Sequence, residues 1–244
     1  MIQVVDVWRS FGDNQVLRGV NLTVEQGTTT VILGGSGSGK SVLMKHMIGL
    51  LKPDRGEVII DGEHIEHLGE RDLQRVRQKF GMVFQAAALF DSMTVFENVA
   101  FPLRERTKLS EHEIADVVHA KLAVVGLRGI DDRYPDELSG GMRKRVGLAR
   151  ALALEPKIVL YDEPTTGLDP ITTDYVDEMI LAAKAKLGVT SVVISHDIGS
   201  AFKIADRLAV LYEGVIVADG LPAEVRESRQ PFVRQLFALW NQKA

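Results

Sequence analysis

The sequence predicts an α/β fold: a core of mainly parallel sheet, an antiparallel β subdomain at the N-terminus and an inserted helical subdomain. Three observations lead there. Short, wholly apolar runs such as Val31-Ile32-Leu33 and Ile158-Val159-Leu160-Tyr161 suit strands buried on both faces of a parallel sheet. Ahead of them, residues 2–8 and 16–24 alternate apolar and polar side chains about a turn at Gly12-Asp13-Asn14, the pattern of a half-buried hairpin. Residues 86–154 carry no strand pattern and are too long for an ordinary crossover, so they form a helical block inside the α/β core.

Taken in order, residues 29–50 organise the chain. Val31-Ile32-Leu33 gives way to glycines, and then Met44, Met47, Ile48 and Leu51 recur at helical spacing, so the order is strand, loop, helix. The loop Gly34-Gly35-Ser36-Gly37-Ser38-Gly39-Lys40-Ser41 fits G-x-x-x-x-G-K-[ST]. Glycines let successive backbone N–H groups turn inward as an anion nest, and a helix starting near Gly39 aims its positive end at the same point. Lys40 adds a charge for the outer phosphates, and the Ser41 hydroxyl suits Mg²⁺. A plain glycine-rich surface turn is the competing reading; the strand before and the helix after favour phosphate.

Further on, residues 53–56 predict a turn, 57–60 a strand, Asp61-Gly62 a hairpin and 71–79 a charged helix. Gly81-Met82-Val83-Phe84-Gln85 is an apolar strand ending in one polar residue. Gln85 is either a solvated loop residue or, at the carboxyl edge of a parallel sheet, one that faces a nucleotide. In the helical block, Thr94-x-x-Glu97 and Ser110-x-x-Glu113 are capping boxes, and the second helix runs to Gly126. The block ends in Leu138-Ser139-Gly140-Gly141-Met142 before a basic helix over 143–154. Ser139 with Gly140 and Gly141 reads as an ordinary N-cap or as a second anion-binding helix end.

The apolar run 158–161 ends in Asp162-Glu163. Adjacent carboxylates at a strand mouth point to opposite sides, so one can hold Mg²⁺ while the other faces a water; two solvated acids opening a loop is the alternative. Residues 189–195 repeat the strand pattern and end in His196, which either starts a helix or joins Gln85 and Glu163 at one sheet edge. Residues 207–212 and 215–219 pair about Glu213-Gly214. The last helix, 231–240, carries Phe232, Leu236, Phe237 and Trp240, which either cover the chain's own core or grip another subunit. Phe11, at the end of the first strand, reads on its own as a hydrophobic plug.

Composition sets limits. A chain of 244 residues can be one domain with a subdomain and bury a sizeable core. With no cysteine it has neither disulfides nor thiolate zinc sites, which fits a reducing compartment. A net charge of -4 gives no electrostatic argument for a nucleic-acid partner. Residues 1–8 lack a signal-peptide pattern and no apolar run approaches the ~18 residues of a membrane span, so the expectation is a chain neither secreted nor self-inserting.

The order and spacing of these motifs resemble the P-loop (RecA-like) ATPase domain of ATP-binding cassette (ABC) transporters along nearly the whole chain. On that resemblance Gly34 to Ser41 correspond to the Walker A loop, Gln85 to the Q-loop glutamine and Ser139-Gly140-Gly141 to the family signature. Asp162 and Glu163 correspond to the end of the Walker B strand, Gly167-Leu168-Asp169 to the D-loop and His196 to the switch histidine. Phe11, followed by Val16, sits where the family stacks an aromatic on adenine. Met142 replaces the usual signature Gln but leaves the Ser-Gly-Gly backbone intact. The run FQAAALFDSMTVFENVAFPLRE, with LSGGM and DEPTTGLDPI, is similar to the ATPase subunit of Mla-type (MCE-associated) phospholipid transporters.

The resemblance implies ATP and Mg²⁺ as ligands. It implies Glu163, His196 and Gln85 in catalysis, Ser41, Gln85 and Asp162 toward the metal, and a nucleotide site completed by Ser139 and Gly141 of a second copy. It also implies a nucleotide-binding domain over 1–225, a helical tail over 226–244 that contacts other subunits, and residence on the cytoplasmic face of an inner membrane. The implied partners are permease subunits, an MCE lipid-binding protein and a small STAS-domain subunit. An importer for another solute and a soluble, non-transport ABC ATPase are the alternatives.

Overall fold

A computed structural model describes residues 1–241. The tail expected over 226–244 therefore has its last three residues outside the described part. Two sheets organise the molecule. Strands β1 (Ile2–Phe11), β2 (Asn14–Val24), β4 (Arg55–Ile60) and β5 (Glu63–His64) form a four-stranded antiparallel sheet in the order β2-β1-β4-β5. A six-stranded sheet runs β10-β9-β3-β8-β7-β6, built from β3 (Thr29–Leu33), β6 (Phe80–Val83), β7 (Ile158–Asp162), β8 (Thr190–Ser195), β9 (Arg207–Tyr212) and β10 (Val215–Gly220). Its pairs are parallel except β9 with β10, which turn about Glu213-Gly214. The predicted α/β architecture is the one observed.

Burial explains the strands. Every residue of β3 and β8 is buried, and β7 is buried up to Tyr161, because both faces of this sheet are covered, one by helices and the other by the antiparallel sheet with a helix. Two apolar cores result. One joins β1, β2, β4 and helix α1 (Lys40–Met47) to one face of the large sheet. The other packs the opposite face against the helical block and the C-terminal helices.

That block holds α3 (Val95–Arg106), α4 (Glu111–Val124) and α5 (Gly140–Leu152), with no strand among them. Both capping boxes form: Thr94 and Glu97 close the start of α3, Ser110 and Glu113 that of α4, and Gly126 follows α4 with a φ of 67°. Buried Asn98 ties the loop ahead of α3, donating to the carbonyls of Phe90, Met93 and Thr94 at 3.0–3.1 Å. Helix α5 starts three residues ahead of its predicted start, at Gly140, because Ser139 caps it: its Oγ accepts from the Met142 N–H at 3.2 Å.

Between β7 and β8 runs α6 (Pro170–Leu187), capped by Asp169 at one end and by Gly188 with a φ of 65° at the other. Helix α7 (Ile198–Ile204) follows, capped by Asp197. The charged helix expected over 71–79 is α2 (Glu70–Arg77). Short α8 (Pro222–Arg226) leads into α9 (Pro231–Asn241). No helix among the described residues is long and apolar enough to cross a membrane.

The four hydrophobic residues singled out on α9 all turn inward. Phe237 is 5% exposed, and Phe232, Leu236 and Trp240 pack against the same core. Phe202 of α7 stacks on Trp240 with ring centroids 5.7 Å apart, and Tyr212 stacks on Phe232 at 3.9 Å. Truncating one such ring leaves a cavity. Phe237→Ala is expected to cost about 3 kcal/mol, a drop of roughly 6–12 °C in Tm for a chain of this size. A melting curve unchanged from wild type would show that α9 does not seal this core.

Candidate active site

The carboxyl ends of β3, β6, β7 and β8 meet at one edge of the large sheet; the loop after β3 leaves for α1 on one face, and those after β6, β7 and β8 leave for α3, α6 and α7 on the other. A cleft of about 770 Å³ opens there. It is lined by Asn14, Val16, Gly35, Ser36, Gly37, Ser38, Gly39, Lys40, Ser41, Val42, Gln85, Glu163, Thr166 and His196.

The glycine loop gives this cleft its floor. Gly39 caps α1 with a φ of 105°, and Gly37 has a φ of 77°, conformations that L side chains rarely adopt. Gly34 lies just beneath: a Cβ there would collide with the Leu211 carbonyl and stand 2.6 Å from Ser38 Oγ. Lys40 is 7% exposed, and its Nζ donates to the carbonyls of Gly34 at 2.7 Å and Gly35 at 3.0 Å. The same ammonium lies 3.6 Å from Glu163 Oε1.

Glu163 is the hub. Its Oε2 accepts from Thr166 Oγ1 at 3.0 Å and lies 2.7 Å from His196 Nδ1. Only 15% of its side chain is exposed. Strand alternation was expected to send Asp162 and Glu163 to opposite sides. β7 ends at Asp162, and Glu163 beyond it takes a left-handed φ of 51°. Glu163 lines the cleft and Asp162 does not. Partial burial, reinforced by the neighbouring Glu163 charge, pushes the Asp162 carboxyl above the usual carboxylate range, and Lys40 and Lys45 pull it back.

Gln85 lies in the turn after β6 and faces the cleft. Just beyond it, Ala87 and Ala88 hold left-handed φ values of 61° and 48°. Arg150 of α5 secures them by donating to both carbonyls, at 2.9 and 2.8 Å. Phe11 is no plug: its ring is 46% exposed, with the Arg9 guanidinium 4.8 Å from its centroid, near the mouth of the cleft through its strand partner Asn14. Ser139, Gly140 and Gly141 lie outside the cleft. Asn14, Val42 and Thr166 line it although the sequence marks none of them as a site residue; Asn14 reads only as part of a turn, and Thr166 falls in the run after Glu163.

Among the described residues no group of three or more His, Cys, Asp or Glu side chains could hold a metal ion on its own. The side-chain oxygens at this edge are hard donors: among those lining the cleft are the Ser41 hydroxyl, the Gln85 amide and the Glu163 carboxylate, and the Asp162 carboxylate ends β7 next to them. Such a set fits Mg²⁺, a hard cation that takes oxygen donors, one or two of them carboxylates, and completes its shell with phosphate and water.

Strand, glycine loop and helix at a parallel-sheet edge, with a buried lysine aimed into the cleft, define a P-loop α/β protein. Comparison with known proteins agrees: the model of the ABC transporter family matches residues 17–166, and the chain belongs to that family. The probable ribonucleotide transport ATP-binding protein mkl of Mycobacterium tuberculosis is 45% identical over 234 residues, 96% of this chain and 65% of that protein. The chain thus spans about 65% of the length of the first such curated relatives. The intermembrane phospholipid transport system ATP-binding protein MlaF of Escherichia coli K12 is 42% identical over 235 residues, 96% of this chain and 87% of that one. Among solved structures, the dimeric post-hydrolysis ATP-binding cassette MJ0796 bound to ADP and Pi superposes with a TM-score of 0.82 at 33% identity, covering 91% of this chain and 99% of that one.

Proposed function

We propose that the chain binds ATP with Mg²⁺ in this cleft and hydrolyses it, as the ATPase subunit of a bacterial ABC transporter that moves phospholipid between inner and outer membranes. One observation carries the enzymatic part: Lys40 and His196 converge on Glu163, at 3.6 and 2.7 Å, beside a phosphate-type loop. Phosphoryl transfer asks little covalent chemistry of a protein, so placement and charge do the catalysis. Lys40 and the amides of residues 34–41 hold the outer phosphates. Glu163 orients the attacking water and takes its proton, while His196 and Gln85 contact the γ-phosphate side. Ser41 and Gln85, with Asp162 through water, would hold Mg²⁺, which when bound neutralises charge between the outer phosphates. Phe11 and Val16 flank the adenine.

Ser139, Gly140 and Gly141 serve the nucleotide of a second copy, a reading supported by their place outside this cleft and by the dimeric MJ0796 cassette. Residues 1–225 act as the nucleotide-binding domain. The helical block carries closure of the dimer to permease subunits through Phe90 and Phe101, exposed rings 5.0 Å apart. The assembly sits on the cytoplasmic face of the inner membrane, with an MCE lipid-binding protein and a STAS-domain subunit as further partners, and the 226–244 tail contributes contacts. The phospholipid assignment rests on the MlaF relatives. A second reading, transport of a nucleotide-like solute, is favoured by the name of the mkl relatives.

Purification of the membrane complex with wild-type and Phe90→Asp chains, followed by mass spectrometry of bound small molecules, tests the cargo and the permease contact. Phospholipid and permease should be recovered with wild type, and permease lost with Phe90→Asp. A complex carrying nucleosides and no lipid would replace the cargo assignment.

A further inference from the structure

We propose that Lys144 is a positioning residue for the hydrolytic carboxylate: from helix α5 it holds the loop after Glu163 and so fixes where Glu163 points. The inference rests on the reading of Glu163 given above. Lys144 is only 8% exposed. Its Nζ donates to two main-chain carbonyls, Pro164 at 2.6 Å and Thr166 at 2.9 Å, which bracket the turn leaving Glu163. Thr166 in turn donates its hydroxyl to Glu163 Oε2 at 3.0 Å. The link from α5 to the carboxylate is therefore continuous: ammonium, Thr166 main chain, Thr166 hydroxyl, Glu163.

Two features give this link a task beyond packing. Burying an ammonium is costly, and burial does pull the Lys144 amine below the usual lysine range, with attraction to Glu163 opposing it. Its neighbours on the helix, Val146 and Leu148, meet the interior with apolar side chains, so an apolar residue would suit plain packing at lower cost. The Glu163 N–H is held by the Ile194 carbonyl of β8 at 2.9 Å, but the residues that follow it have a weaker hold of their own. Glu163 sits at a φ of 51°, which non-glycine residues avoid, and the Thr166 N–H reaches the Glu163 carbonyl only at 3.3 Å. The two bonds from Lys144 supply a constraint that the loop does not make for itself.

The test uses the full chain with Lys144→Met, which keeps length and apolar volume, and Lys144→Arg, which keeps charge and donors. Steady-state ATP hydrolysis, titration with a fluorescent ATP analogue and thermal melting are measured on each. Lys144→Met should lower kcat by about 10²-fold, the scale of a displaced catalytic group, while ATP affinity and Tm stay near wild type. Lys144→Arg should recover most of the loss. Wild-type kcat in a folded Lys144→Met protein would overturn the proposal, as would kcat, affinity and Tm falling together with no rescue by arginine. If Lys144→Met fails to fold, Thr166→Val breaks the next bond in the same link, and an unchanged kcat there overturns it equally. Glu163→Gln is the control: full activity in that variant would remove the reading underneath, whereas an inactive Glu163→Gln beside a fully active Lys144→Met would remove only the role of Lys144.

Discussion

Glu163→Gln is expected to lower ATP hydrolysis by about 10²-fold or more, the scale of losing an acid/base group, with ATP still bound. The amide nearly matches the carboxylate in size, so the acceptor for Thr166 Oγ1 and the approach of His196 can both survive. What disappears is the capacity to take a proton from water, and with it the negative charge that faces Lys40 at 3.6 Å. Binding and chemistry should separate: a saturating titration with the fluorescent analogue, and a single-turnover rate close to zero. A single-turnover rate equal to wild type would remove Glu163 from the mechanism.

Lys40→Ala should fail earlier, at binding. The Lys40 ammonium lies in the floor of the cleft, shared among the carbonyls of Gly34 and Gly35 and the Glu163 carboxylate. Arriving phosphate oxygens carry full negative charge where the Gly34 and Gly35 carbonyls carry none, and a hydrogen bond to a charged group contributes about 1.5–3 kcal/mol, or roughly 10- to 10²-fold in Kd. The substitution also leaves a buried carboxylate facing phosphate without the intervening cation. Calorimetric titration with ATP decides the matter, and an unchanged Kd would mean that the loop amides alone hold the nucleotide.

Much of this was legible in the chain because the signals are local. The glycine loop, both capping boxes and the apolar runs of β3 and β7 each occupy fewer than about ten consecutive residues, within which turn chemistry and periodicity act. Helix α6 shows what local reading passes over. Asp169 with Pro170 at its start and Gly188 at its end are ordinary boundary signals, yet Val176, Ile180 and Ala183 supply a thin apolar stripe between them. Other features belong to the tertiary fold. That Lys144 is buried against the loop after Glu163, or that Asn14 comes to line the same cleft as Lys40, depends on segments far apart in the sequence. The left-handed backbone at Glu163 was equally hidden, since nothing about glutamate favours that conformation.

The position of β3 also bears on how the molecule is made. Thr29 pairs with Ser191 on one side and Thr30 with Arg207 on the other, so both neighbours of the strand that launches the glycine loop come from the final quarter of the chain. β1 and β2 join through a short turn and can pair as soon as they leave the ribosome. β3 must wait through the intervening residues, on the order of ten seconds or more at ordinary translation rates, with five apolar or β-branched residues and no sheet to enter. Distant pairings of this kind slow folding and prolong exposure to aggregation. The nucleotide cleft is thus among the last parts of the molecule to form, and a nascent chain halted before β8 has the loop sequence without the edge that makes it a site.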